Sequence, residues 1–437
     1  MLVVIRDKGK EIMSSGIVFT EYNESGPTLL KTKEHRIQAS FRVSPIHVTV
    51  ANTLRRQVLS AVPTVGFKTE PPESSDVHIS ENTTPIVNEM LMHRIGMIPI
   101  AITDPYTFNP DDYEFRLNIE NVGKSLVNVS AADFVVVKTA TPTESETILE
   151  TKDFFPPDPI TGMTPLITVL RPRYNMDSPT EKLTIRAKAS VGTGRLNMRY
   201  SPVSQCSYEY TPNNDESLQN EMFVAWLSNS KKVPDSTKIT PERLGELRRE
   251  FDCLEVQRCF LKNEKGEPYD FIFHLETVGV FSVPEIIERA LKTCEDIVTP
   301  YISLDEELPN NVTSAIPANR MTVGGTFEFT FKNEDHTLGN LLQTFIIERH
   351  IESTELPRIK YAGYKIPHPL KPEMVLIVTP EDGNIVTARK AIANVCKYLK
   401  IYFDEVREAW IKTPKDTQPK MSVPAALPVK ARGRSKK

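Results

Sequence analysis

Two stretches of this chain, far apart in sequence, follow one order of elements, and neither can bury its own helix. In the first, residues 17–22 and 37–50 hold β-branched and apolar residues in short runs that read as strands. At Val50 the period changes: Val50, Ala51, Leu54, Val58 and Ala61 recur at three- and four-residue steps, an amphipathic helix that Pro63 stops. In the second, Thr326–Phe331 alternates as a strand, and Leu338, Leu341, Leu342, Phe345 and Ile346 form a helical stripe. More strands follow in both, and each plan closes on a helix. The first closing helix carries Ile287, Ala290, Leu291, Cys294 and Ile297 on one face. The second, from about Ile385 to Ile411, carries Ala388, Ile392, Val395, Leu399, Tyr402, Val406 and Trp410. Asn52-Thr53-Leu54 holds the place in one plan that Asn340-Leu341-Leu342 holds in the other. An apolar helix stripe must be covered by another layer, so the two half-domains are expected to pack on each other.

The remaining segments divide the chain further. From Phe67 to Ser201, short apolar runs alternate with Pro, Asn, Asp and Gly clusters, which reads as a separate β-rich domain inserted after the first helix. Within it, Ile86–Ile98 spells a short helix ended by Gly96 and Pro99. Residues 212–250 are polar with helical potential, and Phe271–Val280 is a strand. Ser282-Val283-Pro284-Glu285 fits a capping box with proline just inside the helix. Leu304–Arg320 is polar and Pro/Asn-rich, a linker of roughly 20 residues spanning about 25 Å as a flexible chain. The fold class is therefore α+β. A discontinuous first half at 1–66 and 203–303 is interrupted by the inserted domain at 67–202. The linker, 304–321, leads to a small second half at 322–413 and a disordered basic tail at 414–437.

Charge and residue chemistry exclude more than they assign. A net charge of −4 argues against a chain whose main task is gripping nucleic acid. No stretch approaches the roughly 20 apolar residues of a membrane helix, and the apolar run in MLVVIRDKGK is too short for a signal-peptide core. Five scattered cysteines point to a reducing compartment without a disulfide framework. His93-Arg94 before Gly96 reads as a helix end before it reads as an acid–base site. Asp335-His336 at a helix start caps backbone N–H groups, and His368 sits in a rigid turn between prolines. Gly192-Thr193-Gly194-Arg195 lacks the end of a phosphate loop and reads as a β-turn. Cys253 and Cys259 have no second pair to complete a zinc site, and Asp305, Glu306 and Glu307 read as a solvated linker. The basic run Lys430–Lys437 reads as a solubilising or localising tail before it reads as a nucleic-acid contact.

The segments ANTLRRQVLSAVPTVGF (Ala51–Phe67), VHISENTTPIVNEMLMHRIGMIPI (Val77–Ile100), LTIRAKASVGTGRLNMRYSPV (Leu183–Val203) and FHLETVGVFSVPEIIERAL (Phe273–Leu291) resemble one family. It is that of the third-largest, alpha-like subunit of eukaryotic RNA polymerase II and its archaeal counterpart. FTFKNEDHTLGNLLQTFI (Phe329–Ile346) and YAGYKIPHPLKPEMVLIVTP (Tyr361–Pro380) resemble the partner of that family, the small alpha-like subunit of the eukaryotic and archaeal enzymes. The resemblance implies two alpha-like halves packed as an intramolecular pseudo-twofold pair, with Val50, Leu54, Val58, Leu338, Leu342, Phe345, Leu399 and Val406 between them. It implies contacts to other polymerase subunits from Asn52, Arg55, Arg56, His93, Arg94, Gly194 and Arg195, with the two helix arginines facing the second-largest subunit. Arginine suits that task because its planar fork pairs with carboxylates and carbonyls.

On this resemblance the chain is an assembly platform that recruits the largest, second-largest and smaller subunits, with no catalytic residue and no sequence-specific grip on nucleic acid. The polymerase's magnesium-binding DxDGD triad is absent from the sequence. Many cellular relatives hold zinc in the inserted domain. Ile100–Phe134 contains neither cysteine nor histidine, so no cofactor is expected there. Both partners in one chain resemble the arrangement in large DNA viruses, which implies a virion, host cytoplasm or nucleus. The alternative is a free-standing DNA-binding or regulatory protein on an alpha-like fold, which needs a basic face. An independent enzyme needs convergent titratable groups, and the sequence organises none.

Overall fold

The computed structural model describes residues 5–7, 10–12, 16–25, 38–139, 145–158, 161–173, 175, 178–233, 240–316 and 325–414. The expected disordered tail lies, from 415 on, outside the described residues.

The first unit is built on a four-stranded antiparallel sheet, in the order 203–210, 271–277, 38–44, 18–25. Alternation sends Ala39, Phe41 and Val43, with Phe271, Phe273 and Leu275 of the neighbouring strand, to one buried face. On that face lies α1 (Val48–Ser60). His47 caps it, its Nδ1 accepting the Thr49 N–H at 3.1 Å. The chain then enters a middle region through a two-stranded neck, 63–66 paired with 190–193. Beyond the neck stand a five-stranded sheet (147–149, 135–138, 113–121, 181–187, 77–82) and a smaller pair, 127–130 with 166–170. They carry α2 (Asn88–Gly96) and the single turn α3 (Thr151–Phe154). An aromatic cluster fills this region. Phe67 meets Phe115 at 5.1 Å between ring centroids, and Phe134 meets Phe155 at 5.7 Å.

Between the edge strand 203–210 and its neighbour 271–277, the chain makes a helical hairpin. It consists of α4 (Glu216–Asn229) and α5 (Pro241–Leu254). Phe223, Leu227, Leu247, Phe251 and Cys259 form its own small core, a detail the polar composition of 212–250 hides. The closing helix α6 (Val283–Val298) starts at Ser282, but the capping box does not form. Pro284 lacks an N–H, and Glu285 accepts from Arg289 Nη2 at 2.7 Å instead of reaching back.

The expected flexible linker also needs correction. Tyr301 and Leu304 are fully buried, and 312–315 is a strand pairing with 327–332. Leu304 and Val312, two apolar residues in a polar run, bring the segment down onto the core. Its remaining residues, 317–321, fall outside the described ones.

The second unit repeats the first. Its antiparallel sheet runs 312–315, 327–332, 373–380, 359–365, and is covered by α7 (His336–Ile346) and α8 (Ile385–Lys412). The hydrophobic cores cross the boundary between the units. Val50 of α1 and Cys294 and Val298 of α6 join the cluster of Leu338, Leu342, Phe345, Leu399 and Phe403. The far end of α8 returns the exchange: Val406 and Trp410 join Leu54, Val58, Phe41 and Phe273 of the first unit. Trp410 is fully buried, 5.0 Å from the rings of both Phe19 and Phe41, and its Nε1 donates to Pro284 O at 3.1 Å.

Candidate assembly interface

Polar contacts between α1 and α7 fix how the two helices lie. Near the start of α1, Thr49 Oγ1 is 3.2 Å from Thr344 Oγ1 at the end of α7. Near the end of α1, Arg56 donates through Nε to Thr337 Oγ1 at 2.7 Å and pairs through Nη2 with Asp335 Oδ2 at 3.2 Å, both at the start of α7. The helices therefore run antiparallel across the boundary. Asp335 also caps α7, accepting the Thr337 N–H at 2.7 Å. Burial by itself would raise the Asp335 carboxyl. The Thr337 donors and nearby Arg56 outweigh it and hold the group below its ordinary value.

This geometry redirects part of the expected docking set. Arg56, one-third exposed, turns its guanidinium to the start of α7. α1 is buried on a broad arc that includes Thr49, Val50, Ala51, Thr53, Leu54, Gln57 and Val58, because sheet, α6 and α7 enclose it. That arc leaves Arg56 at the rim, beside α7. Arg195 is exposed, and its Nη2 donates to Asn333 O of the second unit at 2.8 Å. Gly194 abuts α1 so closely that an added Cβ would strike Leu59 O.

Arg55 keeps the outward position. Its Nε and Nη2 donate to Asn52 Oδ1 at 3.1 and 3.0 Å, and both residues line an open groove with Cys206, Ser207, Tyr208, Glu209 and Tyr210 of the edge strand. Burial pushes the Cys206 thiol up to about 12, so it is no nucleophile. His93 and Arg94 are exposed on α2, and Arg94 Nη2 donates to Leu166 O at 2.9 Å.

One polar cluster carries no sequence signal. Tyr301 OH donates to Glu334 Oε1 at 2.9 Å and accepts from Asn311 Nδ2 at 2.7 Å. Burial pushes Glu334 up to about 7. Asn333, Glu334 and Asp335 thus each receive a donor from a different segment, a convergence invisible in the string NED. Elsewhere, His336 Nδ1 lies 3.2 Å from Tyr364 OH, and His368 Nδ1 accepts the Leu370 N–H at 3.1 Å within its turn. Among the described residues, no group of three or more His, Cys, Asp or Glu side chains converges to hold a metal. No helix among them is long and apolar enough to cross a membrane.

The family model described as the RNA polymerase Rpb3/Rpb11 dimerisation domain matches residues 40–297. This chain belongs to that family. A second model of the same description matches residues 326–409, so two Rpb3/Rpb11-type domains lie in the one chain. Curated members of the family are similar to it at low identity. The DNA-directed RNA polymerases I and III subunit rpac1 of Dictyostelium discoideum is 27% identical, covering 58% of this chain and 74% of its own length. The RNA polymerase II subunit RPB3 of Schizosaccharomyces pombe is 27% identical over 63% of this chain and 86% of its own. Subunit Rpo3 of Pyrococcus furiosus is 24% identical over 60% of this chain and 90% of its own.

Proposed function

We propose that this chain is the assembly platform of a multisubunit DNA-directed RNA polymerase, with two alpha-like partners joined in one polypeptide. Homology to the Rpb3 and Rpo3 subunits makes it a non-catalytic subunit of such an enzyme. One observation carries the finer reading: two matches to the same dimerisation domain, at 40–297 and 326–409, belong to units that share cores and cross through antiparallel α1 and α7. An intramolecular pseudo-twofold pair replaces a heterodimer. Joining the partners sets their effective concentration at about the millimolar level, so pairing no longer depends on meeting.

The outward groups then serve the large and small subunits. Arg55 and Asn52 offer one contact. α2 and its two flanking residues offer another. Leu91 and Ile95 point into the core, while Val87, Met90 and Met97 flank His93 and Arg94 at 56%, 62% and 57% exposure. Exposed apolar side chains grouped beside His93 and Arg94 suit a surface that an assembly covers, and methionine adapts to the surface it meets. In place of zinc, the Phe67–Phe115–Phe134–Phe155 cluster holds the inserted domain. The joined arrangement resembles that of large DNA viruses, which supports a place in a virion or in host cytoplasm or nucleus. Five unpaired cysteines fit a reducing compartment.

Capture of a tagged full-length chain from its native cells, followed by identification of what co-purifies, tests the reading. Two very large chains are expected. Recovery of the chain alone, with a salt-dependent affinity for DNA, would replace it with the DNA-binding alternative.

A further inference from the structure

We propose that Arg195 and Arg289 are positioning residues that set the orientation of the middle region relative to the paired units. The proposal does not depend on what the chain assembles with. The middle region leaves the first unit through a two-stranded neck, 63–66 with 190–193, braced by Arg199, which donates to Phe67 O at 2.8 Å and to Thr69 Oγ1. Two strands make a marginal support, so the orientation of what lies beyond them must be fixed by other contacts.

One such contact is at the base of the neck. The loop after residue 193 is seated on the last turn of α1: the Arg195 N–H donates to Ser60 O at 2.9 Å, satisfying a carbonyl left over at the helix end. Gly194 permits that approach, because any side chain would strike Leu59 O. From this seat the Arg195 guanidinium reaches Asn333 O at 2.8 Å. The acceptor is itself held. Asn333 has φ +63, its N–H donates to Pro372 O at 2.6 Å, and its neighbours Glu334 and Asp335 are fixed by Tyr301 and Arg56. The neck is thereby tied to the second unit as well as to its own.

The other contact comes from α6. Arg289 Nη2 donates to Thr103 O of the middle region at 2.6 Å and to Glu285 Oε1 at 2.7 Å. Its guanidinium lies 4.3 Å from the Phe281 ring and 5.8 Å from that of Tyr106. The side chain is only 17% exposed, and its Nη1 is buried without a partner. An unsatisfied buried donor is costly. A guanidinium kept there despite that cost is held for its reach to the middle region. Because Arg195 anchors to the second unit and Arg289 to the first, the middle region takes its set orientation only when both units are seated together.

The test uses the full chain with exposed Cys253 changed to serine and spin labels on Ile148→Cys and Leu370→Cys, both highly exposed, in the middle region and second unit. Pulsed dipolar spectroscopy should give one narrow distance distribution. Arg195→Ala and Arg289→Ala should each broaden it, and the pair should lose the narrow peak, while a single cooperative melting step is kept. Arg195→Lys, which keeps a donor, should restore most of the narrow peak. Gly194→Ala supplies a second route, displacing the loop while leaving Arg195 in place, and should broaden the distribution too. An unchanged distribution in the double arginine variant and in Gly194→Ala overturns the proposal. So does broadening that appears only together with separate melting of the two units, which marks a merely structural role.

Discussion

The two units share a plan, yet their first helices do opposite work. α7 is a burial helix: Leu338, Leu341, Leu342, Phe345 and Ile346 all lie inside. α1 buries three polar residues, Thr49, Thr53 and Gln57, beside its apolar ones, and carries Arg55 and Arg56 at its rim. The asymmetry teaches that a pair of like domains need not divide labour evenly. One helix supplies most of the apolar surface, and the other supplies the polar contacts that fix register and leave a free edge. Hydrophobic burial is non-directional, whereas Arg56 on Asp335 and Thr49 beside Thr344 specify one antiparallel placement.

The largest test of this division lies in the shared core. Trp410→Ala removes the most voluminous fully buried side chain and leaves Phe19 and Phe41 around a void. A loss of about 3–5 kcal/mol is expected, read by urea denaturation, with the first unit losing protection in hydrogen exchange. Leu342→Ala on the burial helix should cost about 2–4 kcal/mol. Thr49→Val on the polar helix, measured in the same way, should cost about 1 kcal/mol or less. Equal losses at the two positions would erase the distinction.

Glu334 gives a pH signature. Its carboxyl is pushed from an ordinary 4.5 up to about 7, so between those values the folded chain binds more protons than the unfolded one. Stability therefore falls as pH rises through that window. Glu334→Gln keeps the acceptor for Tyr301 and removes the charge, and should gain about 1–2 kcal/mol at pH 8 with little effect at pH 5. A parallel offset at both pH values would deny Glu334 that role. The smallest effect is the ion pair. A double-mutant cycle of Arg56→Ala and Asp335→Asn should yield a coupling of about 0.5–1 kcal/mol, since both side chains are one-third exposed.

What can be read from the sequence follows the same asymmetry. The stripes of α7 and α8 are legible because leucine, isoleucine and valine recur at helical spacing. The broad buried arc of α1 is not, because Thr49, Thr53 and Gln57 count as polar in any pattern and only their neighbours make them core. Arg56 misleads for a related reason: its partner Asp335 lies 279 residues away. Leu304 and Val312 are hidden in a Pro/Asn-rich run that reads as linker, and the helical potential of 212–250 does not show which side of α4 is buried, because its apolar residues do not gather on one side. Of the site, Arg56 and Arg195 bond to the second unit and Gly194 abuts α1, while Arg55 bonds to Asn52 of its own helix and Arg94 to Leu166 O. Local composition sets a helix; it does not say which neighbours will surround it.

The long helix α8 has one further consequence, which concerns synthesis. Its last turns complete the core around Phe41, but the ribosome delivers Trp410 roughly 370 residues after Phe41. At about 5–20 residues per second, Phe41 waits about 20–70 s for that ring. During that interval α1 and then α6 can cover part of the sheet face, but Phe19 and Phe41 lack the ring that closes their cluster. A core begun by the strands around Phe19 and Phe41 is thus completed by the end of α8, and a holdase that covers exposed aromatic surface would find a client state there.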